Sequence, residues 1–297
     1  MKLKEKENIN ALIKLLDDPD ANVYNTVSGN LINMGKDIIP QLESVWENTL
    51  DSHLQERIES IIDNIEFKNT KAEFKNWLLN GAHNVVEGVY HISKFQYPDL
   101  VFTDVTKQID EIARDVWMEI NDNLTALEKV RVMNHIIYEI YKLSKNTSNY
   151  YSPQNSYINQ VLETKKGNAI LLAVIYMGVA QKLDIPIFGV NLPKNFILAY
   201  KDVKNDRTYL SEYDRILFYI NPFNNGSVLG RKEIDHFLNQ IKIESKPDFY
   251  LPCSNVDIVK RILQNLIYSY EMLGYADKIN KLFELVEILD INKKEVK

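Results

Sequence analysis

The chain has 297 residues, enough for about two domains of ordinary size. Its formal net charge is −6, and its basic residues are interspersed with acidic ones, so it lacks the basic stripe typical of nucleic-acid-binding proteins. It has no run of about 18 apolar residues and no apolar signal core at its charged N-terminus, which predicts a cytoplasmic protein without a membrane partner. The single cysteine, Cys253, excludes an internal disulfide and a cysteine-rich metal site.

The first segment, residues 1–67, shows short helical patterns separated by breaks. One apolar stretch stops before Pro19, since proline cannot continue a helix, and the next ends at Gly35. The stretch 12–35 resembles a HEAT-type repeat. Repeat units bury their apolar faces against stacked neighbours, so an array this short is expected to dock on the next domain or on a partner.

Residues 68–250 are predicted to form the main domain. Helical spacing extends over 72–94 and resumes at 105–120. Thr125 and Glu128 form a predicted capping box, in which the Thr oxygen accepts from the helix backbone and the Glu reaches back. Residues 145–154 are polar and are expected to form an exposed loop.

A triplet within the first of these helices has metal-ligand chemistry. His83, Glu87 and His91 are four residues apart, so a continuous helix would place them on one face. The span exceeds two helical turns, about 12 Å of rise, which is too long for one ion. We therefore expect an ordinary His–Glu surface pair and no metal.

The centre of the chain is a helix predicted to be buried on all sides. Every residue from 170 to 180 is apolar or small except Tyr176, so the helix has no polar stripe. Strand-like apolar runs follow at 185–192, 196–200 and 216–223, the last before an Asn-Asn-Gly turn. A buried helix followed by strands predicts an α+β fold that is mostly helical, with a small antiparallel sheet.

The chain ends in further helices. Residues 231–241 form one, and residues 251–297 are predicted to form a helical hairpin with Gly274 at the break. The stretch 265–279 within this hairpin resembles one tetratricopeptide unit. A single unit is expected to be a packed appendage.

Three short motifs around the buried helix resemble the transglutaminase-like, papain-like fold. Residues 166–168 (Lys-Gly-Asn) match the loop into the central helix, 193–196 (Pro-Lys-Asn-Phe) the motif around the family's histidine, and 220–223 (Ile-Asn-Pro-Phe) the motif around its aspartate. The resemblance is to the bacterial branch whose core carries a tetratricopeptide-like tail. It covers the middle third of the chain most strongly.

The resemblance implies that all three catalytic positions are vacant. The cysteine position falls on Ala169, the histidine position on Asn195 and the aspartate position on Asn221. Alanine has no nucleophile, and an asparagine amide cannot exchange a proton as imidazole does. Loss of the nucleophile or base alone costs on the order of 10⁶ in turnover in a comparable triad. We therefore predict a non-catalytic protein that has no cofactor and binds a protein or peptide partner. The three vacant catalytic positions are then plain core and strand residues.

The alternative is a cysteine-dependent hydrolase or acyl transferase that uses Cys253 or an unrecognised group. Cys253 precedes a predicted helix, and His135 or His236 is the candidate base. A buried structural thiol is the competing interpretation. A third hypothesis makes the helical flanks the functional part and the core their support.

Tyrosines cluster before the central helix, at positions 138, 141, 150, 151 and 157. Tyrosine combines an apolar body with a polar tip, which suits recognition, although helix-face tyrosines are commonly core residues. The predicted rim of the vacant cleft consists of Tyr150, Tyr151, Asn155, Tyr157, Asn168 and Asn191.

Overall fold

The structure is a computed structural model that describes residues 3–203 and 211–295. The chain forms two compact units, Met1–Glu73 and Phe74–Lys297. The sequence placed the first boundary after residue 67 and treated residues 251–297 as a separate segment. In the structure the C-terminal helices belong to the second unit.

The first unit is helical. Asp20 begins its second helix by accepting a hydrogen bond from the Asn22 amide, and Gly35 ends that helix with a φ of +77°. The Arg57 guanidinium donates to the carbonyls of Leu16 and Asp18, which ties the fourth helix to the turn after the first. The helices are α1 (Leu3–Lys14), α2 (Ala21–Met34), α3 (Ile39–Asn48) and α4 (Ser52–Leu79).

The first unit has an apolar core of its own. Ten buried aliphatic side chains pack together: Ile9, Ile13, Leu16, Val27, Leu31, Ile38, Leu42, Ile58, Ile61 and Ile65. The sequence pattern predicts that so short an array leaves its apolar face open. Four helices instead supply enough aliphatic side chains to form one contiguous cluster. Docking on another domain or a partner stays a prediction.

The second unit contains most of the helices. They are α5 (Val85–Lys94), α6 (Phe102–Glu119), α7 (Ala126–Asn134), α8 (Ile158–Thr164), α9 (Ala169–Lys182), α10 (Arg231–Gln240), α11 (Asn255–Leu273) and α12 (Ala276–Glu295). The capping box of Thr125 and Glu128 at the start of α7 is confirmed, and a π-helical segment, His135–Ile140, continues that helix. In the described part of the chain, no helix combines the length and apolar character that crossing a bilayer requires.

Helix α9 lies at the centre of this unit. All residues from Ile170 to Ala180 are buried, as the absence of a polar stripe predicted. The helix contacts α5, α6, α11 and strands of the sheet. Its polar exception, Tyr176, donates a 3.0 Å hydrogen bond from its hydroxyl to Asn134 Oδ1.

Among the residues that the structure describes, two small sheets complete the unit. A four-stranded antiparallel sheet has the order β3 (Ile187–Val190), β4 (Ile197–Lys201), β5 (Ile216–Asn221) and β6 (Ser227–Leu229). The three predicted strands are confirmed, and β6 follows the predicted Asn-Asn-Gly turn. A parallel pair, β1 (Ser144–Lys145) with β2 (Lys166–Gly167), was not predicted. The fold is therefore mostly helical α+β.

The helix predicted over 72–94 is two helices. Helix α4 ends at Leu79 and α5 begins at Val85. Gly81 and Ala82 lie between them with φ values of +88° and +51°, a conformation that an α-helix cannot contain. His83 therefore precedes α5.

The C-terminal helices form the predicted hairpin. Helix α11 ends at Gly274, whose φ of +77° is the left-handed conformation that glycine favours. Helix α12 packs on α11, and α11 in turn contacts α5 and α9.

Candidate functional site

The candidate site lies at the N-terminus of α9. Asn168 caps this helix by accepting a 2.9 Å hydrogen bond from the Leu171 amide, and its amide donates at 2.9 Å to Ser156 Oγ. Ala169, the first residue of the helix, is half-buried. Strand β1 and the turn Pro222–Asn224 both contact α9 and each other, so three elements converge here.

Asn195 and Asn221 lie at one end of the four-stranded sheet. Leu198 of β4 pairs with Ile220 of β5, which places the segment before β4 beside the end of β5. The Asn195 side-chain oxygen accepts from the Phe196 amide at 2.8 Å. The Asn221 oxygen accepts from the amide of residue 223 at 3.1 Å. Both half-buried side chains therefore cap local turns.

The loop before the site is fixed by a buried asparagine. Asn155 is only 3% exposed, and its amide donates to the carbonyls of Asn149 and Tyr150 at 2.7 and 3.0 Å. Its oxygen accepts from Asn146 at 2.8 Å. Asn155 was predicted as a rim residue, and this prediction is wrong because its polar atoms face the inside of the loop.

Tyr157 is also not a rim residue. It is 1% exposed, and its hydroxyl shares a 2.9 Å hydrogen bond with the Tyr270 hydroxyl of α11. Burial raises the pKa of Tyr157 well above the ordinary value. The Tyr157 side chain anchors the loop to α11 and exposes almost no surface that a ligand could contact.

Tyr150 and Tyr151 are exposed, 47% and 55% respectively, and their rings meet edge-on with centroids 5.1 Å apart, but each also packs on a further aromatic ring of its own. The Tyr150 ring lies edge-on to Phe223, with centroids 6.1 Å apart, at the turn that contacts α9. The Tyr151 ring packs on Tyr268 of α11 at 5.6 Å. Lys145 of β1 places its ammonium 5.7 Å from the Phe223 ring. Tyr150, Phe223 and Lys145 thus form an aromatic and cationic edge beside the start of α9.

Asn191 belongs to a network that includes Arg261 of α11. The guanidinium donates to Asn191 Oδ1 and, at 2.8 Å, to the Leu192 carbonyl. It also lies 5.8 Å from the Phe196 ring. Burial lowers the pKa of Arg261, whereas Cys253 nearby raises it. Sequence patterns do not indicate Arg261 or Lys145, since a residue some 70 positions from its partner leaves no local pattern.

Cys253 lies in an environment that keeps the thiol protonated. It is half-buried, and its Sγ donates to the Gly189 carbonyl at 3.3 Å. Burial, and then the Asp257 carboxylate, raise the pKa of Cys253 to about 12. In the described chain the candidate bases bond elsewhere, His135 to Glu139 at 2.9 Å and His236 to its neighbour at position 240 at 2.9 Å.

The predicted His–Glu pair is present. His91 Nε2 lies 3.9 Å from Glu87 Oε1, one turn apart on α5, although His91 is buried and does not lie on the surface as expected. His83 lies outside that helix. Among the residues that the structure describes, no three histidine, cysteine or carboxylate side chains are grouped closely enough to hold a metal ion.

Comparison with known proteins gives a family match and several relatives. The sequence model of the transglutaminase-like superfamily matches residues 103–264. Two UPF0162 proteins of Xylella fastidiosa, from strains 9a5c and Temecula1, are 30% and 33% identical over 213 residues, which cover 69% of this chain and 71% of each relative. Human F-box only protein 21 is 26% identical over 223 residues, which cover 68% of this chain and 34% of that protein. No solved structure matches.

Proposed function

Because the chain belongs to the transglutaminase-like superfamily, we propose that it is a non-catalytic member that binds a peptide or a protein segment at the N-terminus of α9. In this proposal it belongs to the bacterial branch with a tetratricopeptide-like tail. Ala169, Asn195 and Asn221 occupy the positions of the family's catalytic cysteine, histidine and aspartate.

The observation that carries the proposal is the pair of hydrogen bonds that the side chains of Asn195 and Asn221 make. The oxygens of Asn195 and Asn221 each accept a backbone amide within their own turn. An amide held in this way keeps the turn geometry but cannot take a proton from a nucleophile. The methyl group of Ala169 offers no nucleophile to activate. These contacts support retention of a shaped cleft without acyl-transfer chemistry.

The edge of the cleft suits a peptide. Tyr150 and Phe223 offer aromatic surface at low entropic cost, and Lys145 adds a positive charge beside them. Interface hot spots are enriched in such aromatic anchors. Asn168 also helps to position the rim, because it holds both the helix start and Ser156.

A random-peptide display library, selected on the full chain, tests this proposal directly. Selected peptides should bind Tyr150→Ala and Phe223→Ala about tenfold more weakly, which corresponds to about 1.4 kcal/mol. Trp117→Ala is the matched control, since it removes a 68% exposed aromatic ring of α6 that is not part of this edge. Selected peptides that bind all three variants as well as the wild type would refute the proposed location.

The alternative, a cysteine-dependent hydrolase or acyl transferase, requires a reactive thiolate at Cys253. The raised pKa and the hydrogen bond to Gly189 both weigh against such a nucleophile. Ammonia release from a glutamine-containing peptide provides the test. Turnover by the wild type that disappears in Cys253→Ser would replace the binding proposal with this alternative.

A further inference from the structure

A second concave site adjoins the edge formed by Tyr150, Phe223 and Lys145, since the ring of Tyr151 at its rim lies 5.1 Å from the Tyr150 ring. Its volume is about 410 Å³, and its walls come from the end of α5, the loop at 149–157 and the C-terminal end of α11. We infer that this tyrosine-lined pocket binds a proline-rich segment in the polyproline II conformation. The inference does not depend on the function proposed for the first site.

Two perpendicular pairs of tyrosines line the pocket, and in each pair one ring is buried behind the other: Tyr157 and Tyr270 are only 1% and 4% exposed. Tyr97 and Tyr157 meet at 86° with centroids 5.5 Å apart, and Tyr270 and Tyr275 meet at 89° and 6.0 Å. The hydrogen bond between the hydroxyls of Tyr157 and Tyr270 joins the pairs. The aromatic surface that a ligand can reach therefore comes from Tyr97 and Tyr275, with Tyr151 at the rim. Aromatic-lined grooves accept the pyrrolidine rings of proline-rich segments.

The polar groups of the pocket complement a ligand that has acceptors only. Proline has no backbone N–H, so a proline-rich segment presents carbonyl oxygens without matching donors. The lining supplies amide, hydroxyl and ammonium donors and contains no carboxylate: Gln96, Asn149, Ser152, Gln154 and Lys278 join the tyrosines. Such a lining matches a chain of carbonyl groups better than it matches an ordinary extended peptide.

Lys278 disfavours a cationic ligand in the same pocket. Its ammonium donates to Gln96 Oε1 and lies 5.2 and 5.9 Å from the rings of Tyr270 and Tyr275. The pocket therefore already has a positive charge held over two aromatic faces. A neutral ligand with oxygen acceptors avoids this charge repulsion, and its carbonyl oxygens match the donors of the ammonium.

The size and rim of the pocket also suit a proline-rich segment. A volume of about 410 Å³ lies within the range of about 300–1,000 Å³ usual for small-ligand sites, and it holds about one three-residue turn of polyproline II. Tyr151, Met272, Leu273 and Tyr275 are each more than half exposed around it. Contiguous exposed apolar groups with a polar surround are typical of interaction sites.

A fluorescein-labelled oligoproline of about ten residues, three turns of the helix, is the probe. Fluorescence anisotropy with the full chain should show saturable binding, whereas a labelled Gly-Ser peptide of equal length should show none. Tyr275→Ala and Tyr151→Ala should each weaken oligoproline binding about tenfold, and Trp117→Ala, which removes an exposed ring elsewhere, should leave it unchanged.

Three results would overturn the inference. The first is no saturable binding of oligoproline up to about 1 mM. The second is equal binding of oligoproline and the Gly-Ser peptide. The third is binding that survives Tyr275→Ala and Tyr151→Ala but is lost in Phe223→Ala, which would place the peptide at the start of α9. Failure here leaves the library test of the first site unaffected, so the two outcomes are distinguishable.

Discussion

Gly226, in the turn between β5 and β6, gives the sharpest prediction about stability. Its φ is +69°, and a Cβ built there would lie 1.9 Å from Asn134 Oδ1. The Asn134 amide donates to the Gly226 carbonyl at 2.8 Å, and its oxygen accepts from the fully buried Tyr176 hydroxyl at 3.0 Å. Gly226→Ala must therefore displace the side chain that connects α7, α9 and the turn beside Asn221.

The expected cost of Gly226→Ala has three parts. An L-residue in the left-handed conformation costs about 1–2 kcal/mol. A buried Tyr176 hydroxyl without its acceptor costs about 1–3 kcal/mol, and the lost bond to the carbonyl about 0.5–1.5 kcal/mol. The free energy of unfolding should thus fall by about 2.5–6.5 kcal/mol. Gly274→Ala is the control, since φ is +77° but no atom lies within 4 Å of the built Cβ, so only the first cost applies.

Thermal unfolding monitored by circular dichroism measures the difference. For a unit of this size, each kcal/mol lowers the midpoint by about 2–4 °C, so Gly226→Ala should lose several degrees more than Gly274→Ala. Adding Asn134→Ala to Gly226→Ala should cost less than the sum of the single changes, because both remove the same contacts. Equal midpoints for the two glycine variants would refute the reasoning.

Three further predictions concern thiols and a helix cap. The pKa of Cys253 is raised to about 12 in the folded state from 9.0, so the stability that the protonated thiol contributes should be lost as pH rises between these values. The rate of Cys253 labelling by iodoacetamide should therefore keep rising up to pH 10. A plateau of this rate near pH 8 would contradict the raised pKa. In a Cys253→Ser background, Ala169→Cys should be labelled faster than Cys253 is in the wild type, since a helix N-terminus stabilises the thiolate by about 0.3–1 kcal/mol. Adding Asn195→His and Asn221→Asp should accelerate labelling again near neutral pH. Equal labelling rates for the variants with and without these two changes would count against the assigned positions. Ser254→Ala should lower the free energy of unfolding by about 1 kcal/mol because its oxygen caps α11, whereas Ser254→Asp should preserve it; equal urea midpoints would show that the cap contributes nothing.

The central elements were predictable because their signals are local. The run from 170 to 180 has no polar stripe, and the three predicted strands are short apolar runs bounded by turn residues. Strands β1 and β2 have two residues each, which is too short for an alternating polar and apolar pattern to be recognised. The break at Gly81 and Ala82 was hidden because apolar spacing continues on both sides of it.

The candidate site was less predictable than the fold. Tyr150 and Tyr151 are adjacent in sequence and were grouped in one rim, yet one packs toward Phe223 and the other toward Tyr268. Spacing in a loop carries no periodicity that assigns a side chain to a face. Burial of Tyr157 depends on α11, more than a hundred positions later, which sequence patterns cannot bring beside it.

The all-round burial of α9 has a consequence for synthesis of the chain. Helices α5 and α6 are made before it, whereas β3, β4 and α11 follow, and α11 is complete only 91 residues after Lys182. At about 5–20 residues per second, the ribosome needs about 5–18 s to deliver that last partner. Throughout this interval α9, which is buried on all sides in the folded chain, is incompletely covered. We therefore expect that slowing translation between 183 and 273 would increase aggregation of the nascent chain.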